Sequence, residues 1–351
     1  TLSSSSAASD VYKRQVYNGF TRNKSPKRQE KMETNKIVIT GGAGFIGSHI
    51  CEEVFKKFPK SKIVIIDKLT YAGNKKYLKK IINSKRVKFF KGDIGKPNTY
   101  TNLMKNTDLA INVAAESHVD NSFQAPLSFS LTNTVGAHAF LLKCIELNVK
   151  KIIHISSDEV YGEKLSGSCD ENQKIQPTNP YSASKAAAEI FINSYIYSYK
   201  KEIITVRGNN VYGIRQFPEK LIPRCIINLL RNKKIPIHGN GRNERFYLSA
   251  VDFAKAITLL ITKKDKGVYN IGSNESYSNI QLAKLICKHL KKDPKKFINF
   301  VKDRPYNDKR YAVTTKKIKK LGWKPKFNLI KDLPNIIDWY SKNIDLYKNC
   351  K

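Results

Sequence analysis

Tyr181 and Lys185 stand four residues apart in the sequence and could perform acid–base chemistry together. On the helix that Pro180–Tyr199 predicts, both side chains project from the same face. An ammonium group near a phenol favours the phenolate and lowers its pKa from the usual value of about 10. The phenol could then act as a base toward a substrate hydroxyl while hydride leaves the same carbon, and Ser157 could share the path of the proton. Taken alone, the pair also fits a tyrosine that only packs in a core.

Two adjacent carboxyl groups, Asp158 and Glu159, follow Ser157 directly. Neighbouring carboxyl groups can serve as an acid and a base when their surroundings separate their pKa values. The alternative interpretation is an acidic pair that only forms the turn at the end of a strand. The pair is therefore a candidate for proton transfer beside Tyr181.

A glycine-rich loop follows the apolar run Lys36–Thr40, with glycines at Gly41, Gly44 and Gly47. Such glycines permit a tight turn, a close approach of backbone amides to a pyrophosphate, and close packing of the next helix. The amino end of that helix also favours an anion. Asp67 ends the next predicted strand, and an acidic side chain there accepts hydrogen bonds from an adenosine ribose while repelling a 2′-phosphate. The loop thus predicts a dinucleotide site that prefers NAD to NADP.

These candidates need a frame of strands that alternate with helices. Helices are predicted from residue 45 to Phe58, over about Ala125–Asn148 and over Pro180–Tyr199. Alternation of this kind predicts an α/β fold with a doubly wound parallel sheet of the Rossmann type, with ligands across the carboxyl ends of the strands. The predicted strands are Lys36–Thr40, Ile63–Ile66, Val87–Lys91, Leu109–Val113 and Lys151–Ser156.

We predict two domains and a tail. Residues 1–31 are polar and basic without apolar periodicity, which is typical of a disordered tail or a non-native leader. Residues 32–208 form the predicted NAD-binding Rossmann domain, to which the chain returns near 248–265. Residues 209–247 and 266–345 form a smaller C-terminal α+β domain for the substrate.

The chain of 351 residues is strongly basic, with 64 Lys and Arg against 29 Asp and Glu and a net charge of +35. This excess fits a nucleic-acid binder, a protein with anionic ligands, or an enzyme with a basic surface. Lysines dominate, and no arginine cluster, helix-turn-helix pattern or zinc spacing supports nucleic-acid binding. Pairs such as Lys75-Lys76 and Lys319-Lys320 are interpreted as solvated helix faces. We therefore predict no nucleic-acid partner.

Other classes of protein are excluded by the apolar content and the cysteines. Hydrophobic residues make up 40% of the chain, enough for a packed core. No apolar run approaches the roughly 20 residues that cross a bilayer, so no membrane partner is expected. The six cysteines are scattered without metal-ligand spacing, which predicts reduced thiols, a cytoplasmic protein and no metal site.

The motifs together resemble those of the extended short-chain dehydrogenase/reductase family. The markers are TGGAGFIG, the Tyr181–Lys185 spacing and Ser157 one strand earlier. More specifically, the chain resembles the nucleoside-diphosphate-glucose 4,6-dehydratases over roughly residues 36–340. The resembling stretches include AAESHVDNSF (114–123), SDEVYGE (157–163), NPYSASKAAAE (179–189), QFPEKLIP (216–223) and DRPYNDKRY (303–311).

The resemblance implies a reaction on dTDP-glucose or UDP-glucose that ends in the 4-keto-6-deoxy sugar and water. It implies that Tyr181 assists oxidation at C4, that Glu159 removes the C5 proton, and that Asp158 protonates the departing C6 hydroxyl. Hydride then returns to C6, so that NAD is regenerated and stays bound. The adjacent carboxyl groups suit the elimination step, because oxidation at C4 acidifies the C5 proton.

The resemblance also implies the ligand-binding residues. The catalytic set is Ser157, Asp158, Glu159, Tyr181 and Lys185. The implied cofactor-binding residues are Gly41, Gly44, Phe45, Ile46, Gly47, Asp67, Lys68, Thr70, Asp93, Ile94, Ala114, Ala115, Ser117, Thr132, Tyr181, Lys185 and Asn210. The implied substrate-binding residues are Ser117, Ser157, Asn209, Glu219, Lys220, Leu221, Pro236, Ile237, His238, Arg245, Asn279, Arg304 and Asn307. Arg245 is the expected diphosphate ligand, because a planar guanidinium suits phosphate oxygens.

Several alternatives stay open at this point. A nucleotide-sugar 4-epimerase or a UDP-glucuronate decarboxylase could use the same fold, although the Asp158-Glu159 pair argues against both. A non-catalytic NAD-binding protein or a basic nucleic-acid-binding protein is a more distant alternative. Relatives commonly form homodimers through two helices per subunit, here the helix near 125–148 and the Tyr181 helix, with Ile190, Phe191 and Tyr195 as apolar candidates.

Overall fold

Seven parallel strands form the larger sheet, which confirms the predicted fold class. The computed structural model describes residues 34–263 and 265–348. The strands are β1 (Lys36–Thr40), β2 (Lys62–Asp67), β3 (Val87–Lys91), β4 (Leu109–Asn112), β5 (Lys151–Ser157), β6 (Glu202–Gly208), β7 (Asn210–Tyr212), β8 (Ile235–His238), β9 (Glu244–Ser249), β10 (Gly267–Ile271), β11 (Ser276–Ser278) and β12 (Ile298–Val301). Neighbouring strands of the larger sheet follow the order β10-β6-β5-β4-β1-β2-β3, and the order reverses between β1 and β4. Ligands of such sheets bind outside the carboxyl ends of the strands at this reversal.

Helices alternate with these strands along the chain. The α-helices are α1 (Phe45–Lys57), α2 (Thr101–Met104), α3 (Val119–Gln124), α4 (Pro126–Phe129), α5 (Ala137–Glu146), α6 (Pro180–Tyr199), α7 (Leu221–Leu230), α8 (Ala250–Ile261), α9 (Asn279–His289), α10 (Pro294–Phe297), α11 (Lys316–Lys320) and α12 (Leu329–Lys342). Short 3-10 helices span Lys75–Leu78, Pro97–Thr99, Asp158–Tyr161 and Ile344–Tyr347.

The helix predicted over 125–148 is wider in its middle than the periodicity indicates. A π-helical segment, Ser130–Gly136, joins α4 to α5. Asn133 in this segment is buried, and its side chain bonds both backbone groups of Glu116, at 2.8 Å to the N–H and 3.0 Å to the C=O. The wider turn thus allows one side chain to hold the loop that follows β4, a long-range contact that helical periodicity cannot reveal.

Two of the hydrophobic cores lie on different parts of the described chain. The first packs around the larger sheet and includes Phe253 of α8, Ile318 and Trp323. A separate core forms among α7, α9 and α12, around residues such as Ile226 and Leu333. Strand β10 pairs with β6 in the larger sheet, so the segment that returns to that sheet reaches past the predicted residue 265. The division into two domains stays a prediction that the second core supports.

Other expectations concern the surface, the cysteines and the tail. Lys75, Lys76, Lys319 and Lys320 are exposed, in keeping with their interpretation as solvated positions. The five cysteines within the described residues are buried and free, and the sixth, like the predicted tail over 1–31, lies outside these residues. No helix in the described part of the chain has both the length and the apolar character of a membrane span.

Candidate active site

Two adjoining clefts lie at the carboxyl end of the larger sheet, and the predicted site residues line them. We call them the cofactor cleft and the substrate cleft. The cofactor cleft is lined by every predicted cofactor-binding residue and by Ser157, Asp158, Glu159 and Asn209. The substrate cleft is lined by Leu221, Pro236, Ile237, His238, Arg245, Asn279, Arg304 and Asn307. Glu159, Asn210, Glu219 and Lys220 border both clefts.

The glycine loop packs so closely that a side chain at Gly41 or Gly47 would collide with protein backbone. Only bare backbone fits there, and bare backbone can approach a dinucleotide closely. A Cβ on Gly41 would lie 2.6 Å from the Cα of Ala114, and Gly41 also has a positive φ of 65°. A Cβ on Gly47 would lie 2.0 Å from the carbonyl oxygen of Gly41. Gly44 is the N-cap residue of α1, a helix of 13 residues, and it has no side chain to bond the first backbone amides. These amides are therefore available to bind an anion.

The acidic residue that ends β2 organises the glycine loop from within the protein. Asp67 accepts hydrogen bonds from the backbone N–H of Ala43 at 2.8 Å and of Leu69 at 2.7 Å. Its side chain also borders the cofactor cleft. The nearby Lys68 and Asp93 form an ion pair at 2.8 Å on the same side of the cleft. Asp67 therefore shapes the glycine loop and also borders the cofactor cleft.

The helix that carries Tyr181 and Lys185 is capped at the site. Asn179 accepts a bond from the backbone N–H of Ser182 at 2.9 Å, the Ser182 hydroxyl bonds back, and Pro180 occupies the first turn. Lys185 is buried, and its Nζ donates to the carbonyl oxygen of Ile155 at 2.6 Å. Cap and tether together fix the helix against β5.

The structure contradicts the expected low pKa of Tyr181. Burial of the phenol and the negative charges of Glu159 and Asp158 raise its pKa, whereas the hydrogen bond with Ser157 lowers it. The Lys185 ammonium group donates to the backbone of β5, so its effect on the phenol is smaller than the sequence spacing suggests. Within the protein alone, Tyr181 is thus a phenol that must lose its proton to a basic partner.

Asp158 and Glu159 lie in one 3-10 turn but in different surroundings. Asp158 is 3% exposed and accepts a bond from Asn209 Nδ2 at 2.8 Å. Burial and the adjacent Glu159 raise the pKa of Asp158 to about 7. Glu159 is more exposed and borders both clefts. Ser157 caps the turn by accepting from the Glu159 N–H at 3.2 Å. The turn therefore offers one carboxyl group that holds its proton and one that faces the clefts.

Glu219 lies where the two clefts meet and is held by residues that sequence reasoning missed. Its carboxylate accepts from Tyr71 OH at 2.9 Å, from Asn121 Nδ2 at 3.2 Å and from the predicted Ser117 hydroxyl at 3.4 Å. The Tyr71 ring also meets Phe217 edge to face at 5.1 Å. Tyr71 is 148 residues from Glu219 in sequence, so only the folded chain reveals this contact.

Arg245 borders the substrate cleft with a constrained guanidinium group. It donates to the carbonyl oxygens of Glu244 and Asp308, each at 2.8 Å, and lies 4.8 Å from the centre of the Tyr311 ring. Tyr311 is buried and hydrogen-bonds Asp308. The pattern DRPYNDKRY ends at this tyrosine, and its position in the motif was the one available sequence signal for it.

Arg304 is paired inside the protein, a contact that the sequence did not predict. Its Nη2 donates to Asp120 Oδ2 at 3.2 Å, and its Nε also contacts Asp120. His118 and His238 lie 3.4 Å and 3.8 Å from the same carboxylate. His118 has a positive φ of 118°, unusual for a residue other than glycine. The arginine thus faces the substrate cleft as part of a charged cluster.

Two weaker candidates have structural roles as well as places in the cleft. Asn279 is the first residue of α9, and the preceding Ser278 caps this helix by accepting from the Gln281 N–H at 3.3 Å. Ile237 is 1% exposed and belongs to the second core, whereas its neighbours Pro236 and His238 are partly exposed.

Among the described residues, no group of three or more His, Cys, Asp or Glu side chains could hold a metal ion.

Comparison with known proteins identifies the family. Residues 38–333 match the family described as GDP-mannose 4,6 dehydratase. The chain belongs to this family. It is 39% identical to the mouse dTDP-D-glucose 4,6-dehydratase over an alignment of 324 positions that covers 90% of this chain and 91% of the mouse protein. The resemblance to the extended short-chain dehydrogenases/reductases is thereby confirmed.

Longer relatives and solved structures agree with this family. The chain is 42% identical over 314 residues to an Arabidopsis thaliana protein named trifunctional UDP-glucose 4,6-dehydratase/UDP-4-keto-6-deoxy-D-glucose 3,5-epimerase/UDP-4-keto-L-rhamnose-reductase. The match covers 88% of this chain but 47% of that protein, so the chain spans about half of its length. The crystal structure of dTDP-glucose 4,6-dehydratase from Streptomyces venezuelae with NAD bound superposes with a TM-score of 0.87 and 33% identity, covering 90% and 100% of the two chains.

Proposed function

We propose that this protein is an NAD-dependent dehydratase that converts dTDP-glucose or UDP-glucose into the 4-keto-6-deoxy sugar and water. The observation that carries the proposal is the buried Asp158, with a pKa raised by burial and by Glu159, beside the Tyr181–Lys185 pair in one cleft. A dehydratase needs a proton donor and a base next to a redox site. The names of the mouse and plant relatives support the same reaction.

The cofactor cleft fits NAD. The glycine loop packs too closely for any Cβ and so keeps bare backbone beside the cleft, the start of α1 presents free amides to a pyrophosphate, and Asp67 borders the cleft where a ribose would lie. When bound, NAD would supply the acceptor for the hydride that leaves C4 and the donor of the hydride that C6 receives. An enzyme that consumes and regenerates its cofactor in one cycle can keep it bound.

The chain's own residues would handle the protons. Tyr181 acts as a phenolate in this step: its own proton first passes to solvent, the Ser157 hydroxyl donates to the phenolate oxygen, and Tyr181 then takes the proton of the O4 hydroxyl as C4 becomes a ketone. Glu159 then removes the acidified C5 proton, and the neutral Asp158 protonates the C6 hydroxyl as the C6–O bond breaks and water leaves. Arg245 and Lys220 supply positive charge for the diphosphate in the substrate cleft.

Product analysis tests this proposal and its rivals. The purified protein is incubated with NAD and, in parallel, with dTDP-glucose and UDP-glucose in deuterated water, and the products are analysed by mass spectrometry. We expect a product one water lighter, with deuterium at C5, and the faster of the two reactions identifies the nucleotide. A galactose epimer with no water lost would instead establish the 4-epimerase, and pentose formation in a third incubation with UDP-glucuronate would establish the decarboxylase.

A base variant tests the assignment of roles. In Glu159→Gln, C4 oxidation should proceed but C5 deuteration should fall roughly 100-fold or more, since a positioned general base contributes at least this factor. The matched variant Glu163→Gln changes a nearby acidic residue outside both clefts and should leave C5 deuteration unchanged. Normal deuteration in Glu159→Gln would show that another group is the base.

We also infer that two copies of the chain pair through the helices near the site. Apolar side chains are exposed along α4, the π segment and α6, including Leu127 at 77%, Leu131 at 63% and Ile190 at 61%. Phe191 is also exposed, whereas Tyr195 is buried and hydrogen-bonds His138, so its place is in the protein rather than at an interface. A contiguous apolar face of this kind fits a second copy of the same surface.

Sedimentation velocity checks the pairing. The native protein should sediment as a dimer and Ile190→Glu as a monomer, because a charge would be buried at the centre of the interface. Leu165→Glu, at an equally exposed leucine elsewhere (62%), is the matched control and should remain dimeric.

The five buried, free cysteines of the described residues support a reducing compartment such as the cytoplasm. Localisation of the tagged protein in cells would test this.

A further inference from the structure

Glu189 is a buried carboxylate that lies outside both clefts. It is 2% exposed and follows Lys185 by one helical turn on α6. Tyr181, Lys185 and Glu189 are spaced by four residues and therefore share one face of the helix. An isolated buried carboxylate is costly, so its position next to a catalytic lysine calls for a physical reason.

Arg207 on β6 holds Glu189 in place. Its Nε donates to the two carboxylate oxygens at 3.2 and 3.0 Å, and its Nη2 donates at 2.5 Å. The guanidinium lies 4.5 Å from the centre of the Tyr161 ring, whose hydroxyl donates to Asn270 at 2.8 Å. Because Tyr161 belongs to the 3-10 turn of Asp158 and Glu159, this assembly links the Tyr181 helix to the acid–base turn.

The charges around Lys185 show what Glu189 contributes. The buried His154 on β5 bonds Asn112, and burial together with the Lys185 charge holds the pKa of His154 well below its usual range, so it stays neutral. Arg207 on β6 forms an ion pair with Glu189. Asp158 and Glu159 lie close enough to Tyr181 for their charges to act on it, at the other end of this helix face. Burial lowers the pKa of Lys185 to about 8, and Glu189 acts in the opposite direction.

We propose that Glu189 is a positioning residue that keeps Lys185 in its ammonium form, while Arg207 and Tyr161 hold the carboxylate beside it. A buried lysine next to a cofactor site would otherwise lose its proton near neutral pH. Without the ammonium, the Tyr181 phenolate that forms during turnover would lose a positive charge one helical turn away. The inference rests on the proposed function only for its effect on turnover, since the charge of Lys185 can be measured without substrate.

The titration of Lys185 tests the inference directly. Carbon-13 labelling of the lysine Cε atoms allows NMR titration of the NAD-loaded protein, and Lys185→Met identifies the resonance. In Glu189→Gln, we expect the Lys185 titration to move to lower pH by about one unit, as loss of a close opposite charge predicts. The alkaline limb of the kcat profile should move in the same direction, whereas Glu189→Asp should restore most of both.

A double variant separates this effect from damage to the fold. Glu189→Gln leaves Arg207 as an unpaired buried charge, so its stability will fall. Glu189→Gln/Arg207→Gln removes both charges, and its Lys185 titration should still lie below that of the native protein. A wild-type titration in this folded double variant would overturn the proposal, because a purely structural pair would change stability without changing Lys185. A shifted titration in a protein that makes no 4-keto-6-deoxy sugar would refute the proposed function and leave this inference standing.

Discussion

The cofactor cleft and the substrate cleft are built in different ways. The cofactor cleft depends on close approaches within short stretches, such as Gly47 against Gly41 and Asp67 against Ala43, 24 residues away. The substrate cleft depends on polar pairs between distant segments, such as Arg304 with Asp120 across 184 residues. Sterics and backbone geometry thus define the first cleft, and charges brought together by folding define the second.

This difference predicts how each cleft should fail. A single added methyl group should damage the cofactor cleft, because backbone atoms have no room to move. Removal of a single charge should only weaken the substrate cleft, because several cations share the work of binding an anionic ligand. The turn of Asp158 and Glu159 reaches the junction through Glu159 and belongs to neither pattern, since burial and charge together raise the pKa of Asp158.

The largest effect is expected at this junction, in Asp158→Asn. Asparagine keeps the shape but has no acidic proton, so the dehydration rate should fall about 100- to 10,000-fold. In the native protein the rate of dehydration should fall as pH rises through about 7, because Asp158 then loses the proton it must donate. Product formation followed by mass spectrometry between pH 5 and pH 9 measures both effects.

The same substitution should stabilise the fold at alkaline pH. The folded protein retains the Asp158 proton up to about pH 7, whereas the unfolded chain releases it near pH 4. The native protein therefore loses unfolding free energy as pH rises between these values. Asp158→Asn escapes this loss and should gain up to roughly 4 kcal/mol at pH 8, with little gain at pH 4. Equal stability differences at pH 4 and pH 8, measured by urea unfolding, would contradict the raised pKa.

A smaller effect is expected when the steric rule of the cofactor cleft is tested with Gly47→Ala. The added Cβ would lie 2.0 Å from the Gly41 carbonyl oxygen and 2.8 Å from the Gly42 Cα, so backbone must shift. NAD affinity measured by calorimetry should fall by about 30- to 100-fold, equivalent to roughly 2–3 kcal/mol. Gly95→Ala is the control, since its Cβ would meet its nearest neighbour at an ordinary 3.4 Å. Equal NAD affinities in the two variants would break the comparison on its steric side.

The contrast between the clefts also explains what the sequence could predict. Strand β3 occupies the predicted residues Val87–Lys91, and β5 ends one residue later than predicted, because local apolar patterns decide such elements. The glycine loop and the Tyr181–Lys185 face were equally visible, since each lies within one short segment. The fold class and the family were predicted on this basis and are confirmed.

Long-range contacts were the part that the sequence did not reveal. The raised pKa of Tyr181 arises from its burial near Glu159, and the spacing to Lys185 suggested the opposite direction. The role of Tyr71 beside Glu219 and the pairing of Arg304 with Asp120 join segments that no local pattern connects. Asn133 escaped notice because a π-helical turn leaves no mark in a periodicity of 3.6 residues.

The smallest effect is expected in the substrate cleft, where Arg304→Gln tests whether this arginine binds the nucleotide sugar or only pairs with Asp120. Loss of one charge-assisted contact should raise the KM for the nucleotide sugar about tenfold, with kcat and NAD affinity changed less than about twofold. Arg310→Gln is a close control, because Arg310 has the same side-chain exposure of 22%, pairs with Glu244 and lies outside both clefts. Equal KM values in the two variants would assign Arg304 to the ion pair alone. A tenfold difference would show that a charge held by a partner 184 residues away still serves the ligand.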